Sequence, residues 1–143
     1  MVADGQPFFI LYGDNLTNVD LRKLYRFHLE HGMPFTLGVF RTPTPKECGI
    51  AEVNEDGVVI DFIEKPNNPK TDLAAAGIYV ADKDIFNYFP QEQKSLKPLD
   101  LGFYVLPKLG RRMMAYPIEE FLMDIGTINS YERAQELWKE VKP

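Results

Sequence analysis

Two aspartates stand where chemistry is expected. Asp14 follows the apolar run of "FFILYGDNL", Phe8–Leu16, and Asp124 lies in "FLMDIGT", after an extended stretch that ends at Phe121. In open α/β sheets, ligands sit beyond the carboxyl ends of the strands. Two carboxylates converging from separate strand ends suit Mg2+, which takes oxygen ligands, waters and substrate phosphates. Taken alone, each aspartate is better read as a turn former that hydrogen-bonds its own backbone. In "EKP", Glu64 could accept hydroxyl donors and Lys65 could offer a point charge to a phosphate, while Pro66 stiffens the exit. Taken alone, the tripeptide is better read as an exposed ion pair on a loop. Gly77 interrupts the strand-like "AAAGIYV", which fits either a bulge or a close ligand approach, and Gly49 has the same two readings. His28 and His31 are three apart near the end of a helix, where the dipole favours a cation, and are read as structural.

These residues need elements to hold them. Phe8–Tyr12 does not alternate apolar and polar side chains, so it predicts a strand buried on both faces. A helix is expected to open near Asn18, with Asp20 in its first turn. Leu21, Leu24, Tyr25 and His28 share one of its faces, and Gly32 and Pro34 stop it. Phe35–Phe40 reads as a second strand. "IAEVNEDGVVIDFIEKP" alternates around an Asp-Gly turn signal and predicts a hairpin. Ala74–Asp82 reads as a further buried strand, and a short helix follows with Asp82 as N-cap and Pro90 as terminator. "PLDLGFYVLPKLG" reads as helical, with Pro107 near its end, and "MMAYPIEEF" as extended. A C-terminal helix is expected from Asn129 or Ser130 to Val141. It should turn Tyr131, Ala134, Leu137 and Trp138 inward and leave Ser130 and Arg133 exposed. Strands alternating with helices argue an α/β layer structure.

The chain has 143 residues, enough for one domain with a real core, and no repeat or linker divides it. The residues are 45% hydrophobic and 26% charged, with a formal charge of -5 and no basic run. That composition argues against an electrostatic nucleic-acid binder. Cys48 is the single cysteine, so neither an intrachain disulfide nor a thiolate zinc cluster can form. No basic leader region precedes the first apolar run, and that run is too short for a signal core or a membrane span. A cytoplasmic protein with no membrane or nucleic-acid partner is expected.

In order along the chain, "FFILYGDNL", "FTLGVF", "CGIAEVNEDGVVIDFIEKP", "AAAGIYVAD", "LDLGFYVLPKL" and "FLMDIGTINSYERA" resemble the sugar-1-phosphate nucleotidyltransferases. The nearest flavour is the mannose-1-phosphate guanylyltransferase and glucose-1-phosphate thymidylyltransferase group. The resemblance implies a Rossmann-like nucleotide-diphospho-sugar transferase fold, with a mixed, mostly parallel sheet flanked by helices. It also implies transfer of a nucleotidyl group from a nucleoside triphosphate to a sugar 1-phosphate, with release of pyrophosphate. Asp14 and Asp124 would then hold Mg2+, Glu64 would bind sugar hydroxyls and Lys65 would face the sugar phosphate. Gly49 and Gly77 would let backbone approach the sugar, with Tyr79 nearby.

The family's Gly-rich, basic loop, which cradles the triphosphate, has no counterpart in these 143 residues. The expectation is a truncated single domain, residues 1–143, that keeps the sugar-phosphate and metal half and is inactive alone. No residue is assigned as catalytic. One alternative is an enzyme whose missing half comes from another chain, and GDP-mannose or a similar nucleotide sugar would then be its product. Another is an assembly protein without a ligand. With its family neighbours absent from the sequence, the Phe8–Tyr12 strand is expected to form a homodimer or larger assembly through its open side.

Overall fold

A computed structural model describes residues 5–90 and 98–141. The main sheet is built from β1 (Phe8–Leu11), β3 (Phe35–Arg41), β4 (Gly49–Val53), β5 (Val59–Glu64), β6 (Leu73–Ala81) and β7 (Met113–Pro117). Its order is β5-β4-β6-β3-β7, with β1 joined to β6. A separate two-stranded ribbon pairs β2 (Asn15–Thr17) with β8 (Leu122–Asp124). The helices are α1 (Leu21–His31), the short α2 (Leu101–Tyr104) and α3 (Leu106–Leu109), and α4 (Ile128–Leu137).

The nine residues of β6 form the spine. One of its edges pairs with β3, and the other is shared by β1, at Ile78–Ala81, and by β4, at Ala74. Tyr79 and Ala81 point into a core completed by Phe35, Leu37, Val105, Leu106 and Leu109. Ala76, Ile78 and Val80 point into a second core closed by Leu24 of α1 and by Ile118. Burial on both faces is why this strand reads as a continuous apolar run.

The α/β class and the flanking helices match expectation, but the balance of pairing differs. Among the described residues β3–β7 is the parallel pair, and the other strand pairs are antiparallel. The reason is the direction of the spine: β6 runs opposite to β1, β3 and β4, each of which pairs with it, and the β4–β5 hairpin adds a further antiparallel pair, whereas a parallel pair needs a crossover. Between β3 and β7 the chain makes one, through β6, α2 and α3.

Other boundaries follow from side-chain chemistry. Asp20 is the N-cap of α1, not a first-turn residue, because its carboxylate accepts the N–H groups of Arg22 (2.9 Å) and Lys23 (3.2 Å). Gly32 ends the helix at φ 68°, where a residue with a Cβ is disfavoured. The Asp-Gly hairpin turn forms, with Asn54 Oδ1 accepting the N–H groups of Asp56 and Val58. The helix after β6 is a 3-10 segment, Lys83–Tyr88, and the Asp82 side chain does not cap it. Pro107 lies in the first turn of α3, which opens at Leu106, so the expected single helix is broken at Val105. The last helix starts one to two residues earlier than expected, at Ile128, because Thr127 and Ser130 form a capping box. Of its expected inward face only Ala134 is buried, and Tyr131 is 53% exposed.

β1 also departs from expectation. It is half-buried rather than central, because among the described residues only β6 pairs with it. No helix of the described residues is long and apolar enough to cross a membrane.

Candidate functional site

The seven residues singled out from the sequence, Asp14, Gly49, Glu64, Lys65, Gly77, Tyr79 and Asp124, all line one cleft of about 320 Å3. Their convergence is the work of three local devices.

The first is the β2–β8 ribbon, which registers Asn15 opposite Asp124. The Ile125 N–H donates to the Asp14 carbonyl at 2.8 Å, and the Gly126 N–H donates to Asp124 Oδ1 at 2.8 Å. A Cβ placed on Gly126 would lie 3.2 Å from Asp124 Oδ1 and 3.4 Å from Asp14 Oδ2. Both exposed carboxylates therefore flank one point, and the glycine keeps it open. Asp124 reaches this place from the ribbon and not from a strand end of the main sheet, a correction to the sequence reading. Two carboxylates with solvent access fit Mg2+, which keeps waters and takes the rest of its shell from substrate phosphates. Among the described residues no third His, Cys, Asp or Glu joins them in a ligand cluster.

The second device is a bulge in β6. The pairing with β3 shifts between Leu37 and Val39, and Gly77 takes φ 67°. The Asn15 side chain donates to the Ala76 carbonyl at 3.0 Å, which ties the ribbon to the bulge. A Cβ on Gly77 would stand 2.6 Å from Asn15 Nδ2 and 3.0 Å from the Tyr12 ring. Of the two sequence readings of Gly77, the fold shows the bulge, and the groups close to it are the chain's own Asn15 and Tyr12 side chains.

The third device holds Glu64. A Cβ on Gly49 would lie 2.5 Å from Glu64 Oε2, and one on Gly102 would overlap the same oxygen. The carboxylate sits in a slot between two glycines. Lys65 follows at φ 49°, a left-handed conformation costing about 1–3 kcal/mol for such a residue, while its N–H donates to the Cys48 carbonyl at 3.0 Å.

Sequence reading missed Asp100. Its carboxylate caps α2 by accepting the Phe103 N–H at 3.0 Å, and it also lines the cleft. An Asp just before the helical "LGFY" was the available signal. Burial, and next the Asp100 carboxylate, push the Glu64 carboxyl above its usual range, against the pull of Lys65. Burial also pushes the Tyr79 hydroxyl well up, and burial followed by Asp100 raises Tyr12. The two phenols stay neutral, and their rings meet edge-on at 5.8 Å between centroids. The cleft thus offers four exposed carboxylates, Asp14, Glu47, Asp100 and Asp124, with one cation, Lys65, and the half-buried Glu64 carboxylate, which is reluctant to ionise. That set can hold a divalent ion, a phosphate and hydroxyl groups together.

A family profile for nucleotidyl transferases matches residues 1–140. The chain is 36% identical over 129 residues to a glucose-1-phosphate adenylyltransferase of Clostridioides difficile, a match covering 85% of this chain and 33% of that protein. It is 33% identical over 145 residues to one from Clostridium beijerinckii, covering 96% and 38%. The chain therefore spans about a third of the length of these curated relatives. A crystal structure of a Bacillus anthracis protein assigned as a glucose-1-phosphate thymidylyltransferase, in complex with sucrose, superposes with a TM-score of 0.77 at 24% identity. That likeness covers 98% of this chain and 57% of the other, and it shows the fold. The chain belongs to the nucleotidyl transferase family, as its resemblance to the sugar-1-phosphate nucleotidyltransferases implies.

Proposed function

We propose that this chain supplies the sugar-phosphate and divalent-metal half of a nucleotidyl transfer site, with glucose 1-phosphate or mannose 1-phosphate as ligand. The observation that carries the reading is the single cleft holding Asp14, Asp124, Glu64 and Lys65. In the reaction of such a site, a phosphate oxygen of the sugar 1-phosphate attacks the α-phosphorus of a nucleoside triphosphate. A new P–O bond forms, the bond to the β-phosphate breaks, and pyrophosphate leaves. Asp14 and Asp124 would hold Mg2+, whose chemistry is to offset the charge of the approaching phosphates. Lys65 sets a positive charge against the sugar phosphate. Glu64 accepts sugar hydroxyls, and its fixed slot holds the phosphate in line. The backbone at Gly49 and Gly77 would contact the ring, and Tyr79 would wall it.

On this reading the 143 residues alone do not turn over, because they carry no Gly-rich basic loop to cradle a triphosphate. Titration calorimetry with each sugar 1-phosphate, with and without Mg2+, tests it. Weak, Mg2+-assisted binding is expected, and Asp124→Ala should abolish the assistance while Glu64→Ala with Lys65→Ala abolishes binding. Equal binding by the double variant removes the site assignment. Steady pyrophosphate release by the unmodified chain, lost in Asp124→Ala, refutes the reading of inactivity.

The open edge of β1 supports a second element of the proposal, self-association. The Tyr12 N–H bonds the Gly77 carbonyl, so alternation turns the Phe9 and Leu11 backbone groups away from β6. Leu11 is 51% exposed, and an apolar groove lined by Phe9, Leu21 and Tyr25 lies alongside. A second copy would cover both. A separate chain carrying the nucleotide-binding part would occupy the same edge and give a complete enzyme instead.

A further inference from the structure

Away from the cleft, at the corner joining α1, β3 and the end of β6, lie both histidines of the chain. His28 is 2% exposed and Thr36 is fully buried, so their polar atoms must be satisfied internally. The proton positions in this cluster follow from one group that can only donate. The Met33 backbone N–H donates to His31 Nδ1 at 2.9 Å. Nδ1 must then carry a lone pair, and the ring proton resides on Nε2. That Nε2–H donates to Thr36 Oγ1 at 2.7 Å. The Thr36 hydroxyl sends its single proton to His28 Nδ1 at 2.8 Å. His28 therefore holds its proton on Nε2 and donates it to Asp82 Oδ1 at 3.2 Å. Reversing the His31–Thr36 link would leave His31 with no ring proton, and reversing the Thr36–His28 link would turn a lone pair on His28 Nε2 toward the Asp82 carboxylate, so this direction is the one that satisfies two neutral rings. Asp82 closes the corner with its backbone N–H, which donates to the Pro34 carbonyl at 2.9 Å.

We propose that this relay is a proton-operated clasp: one proton taken from solvent at His31 Nδ1 converts that atom to a donor, expels the Met33 N–H and unfastens the Gly32–Pro34 turn that feeds β3. His31 is only partly buried, so water reaches it. The groups that face it are known from each element. α1 contributes His28 and His31 themselves, and the segment after β6 contributes Asp82. β3 contributes the uncharged Thr36 and the turn contributes Met33. β7 contributes Tyr116, which meets the Phe27 ring packed on His31. Burial holds the His31 imidazole below its ordinary value of 6.5, against the opposing pull of Asp82. The neutral, clasped form therefore prevails above that pH and is lost as pH falls through the folded value.

Long-range 1H–15N correlation spectra of the 143-residue chain between pH 8 and pH 5 test this directly, since only two imidazoles are present. Both rings should carry the proton on Nε2 at pH 8. Amide exchange at Met33 should be slowed about tenfold there, and the slowing should vanish as His31 titrates. In His31→Leu the Met33 amide should exchange fast at every pH. An Nδ1–H tautomer in either ring overturns the proposal. So does Met33 protection that persists through the His31 titration, or that keeps its pH dependence in His31→Leu.

Discussion

Gly102→Ala separates folding from recognition in this cleft. The new Cβ would overlap Glu64 Oε2 and stand 2.9 Å from Glu64 Cδ and 3.2 Å from Asp100 Oδ1. The obstacle is the end of a flexible side chain, so Glu64 can swing away at about 0.5–1.5 kcal/mol, the scale of an off-rotamer displacement. Gly102 lies inside α2, where Ala is better than Gly by about 1 kcal/mol. The two terms nearly cancel, and urea denaturation should place the variant within about 1 kcal/mol of the parent. Recognition has no such offset. A hydrogen bond involving a charged group contributes about 1.5–3 kcal/mol, which is roughly ten- to 150-fold in affinity. Calorimetry with glucose 1-phosphate and Mg2+ should therefore show a loss in that range at almost unchanged stability. Parent-like affinity in a folded Gly102→Ala protein would show that the position of Glu64 does not matter to the ligand. Failure of the parent chain to bind would remove the functional reading itself.

Two further outcomes follow from the structure. The Glu64 carboxyl is raised by burial and by Asp100, so its favourable contribution is complete below the unfolded value of 4.5 and is lost as pH rises through the folded value. Glu64→Gln should therefore gain stability relative to the parent between pH 4 and pH 7 in urea titrations, and a constant difference across that range contradicts the burial argument. If β1 pairs with its copy, light scattering at low micromolar concentration should show a dimer or larger. Phe9→Lys, which adds a cation beside Arg22 and Arg26 in the groove, should dissociate it or cause aggregation. A monomeric parent chain refutes the pairing.

Much of the fold is legible in local chemistry. Gly32 ends α1 because a left-handed cap suits a residue without a Cβ, and Asn54 with Asp56-Gly57 turns the hairpin. These signals act within a few residues, where backbone sterics and hydrogen bonding decide the conformation. The apolar run of β6 predicted burial on both faces, and the two cores flanking it are the reason. The same argument overreached at β1, because a run of apolar residues says what a strand would bury and not which neighbours lie beside it. On α4 the periodicity of Tyr131, Ala134 and Trp138 fits a helix, but only contact with another element could bury that face, and only Ala134 obtains it.

The sequence by itself determined the residue types of the cleft and the devices next to each one. Asp14, Glu64, Lys65, Gly49, Gly77, Tyr79 and Asp124 could all be named from motifs and resemblance. Only the tertiary structure decided that they share one cleft. Asp124 arrives through a ribbon pairing with Asn15, and Glu64 is held by Gly102 and shadowed by Asp100, all distant in the chain. The physical reason is the range of the forces involved. Capping, turn formation and periodicity are decided by neighbours in sequence, whereas strand pairing, carboxylate repulsion and burial depend on groups that meet only after the chain has closed its loops.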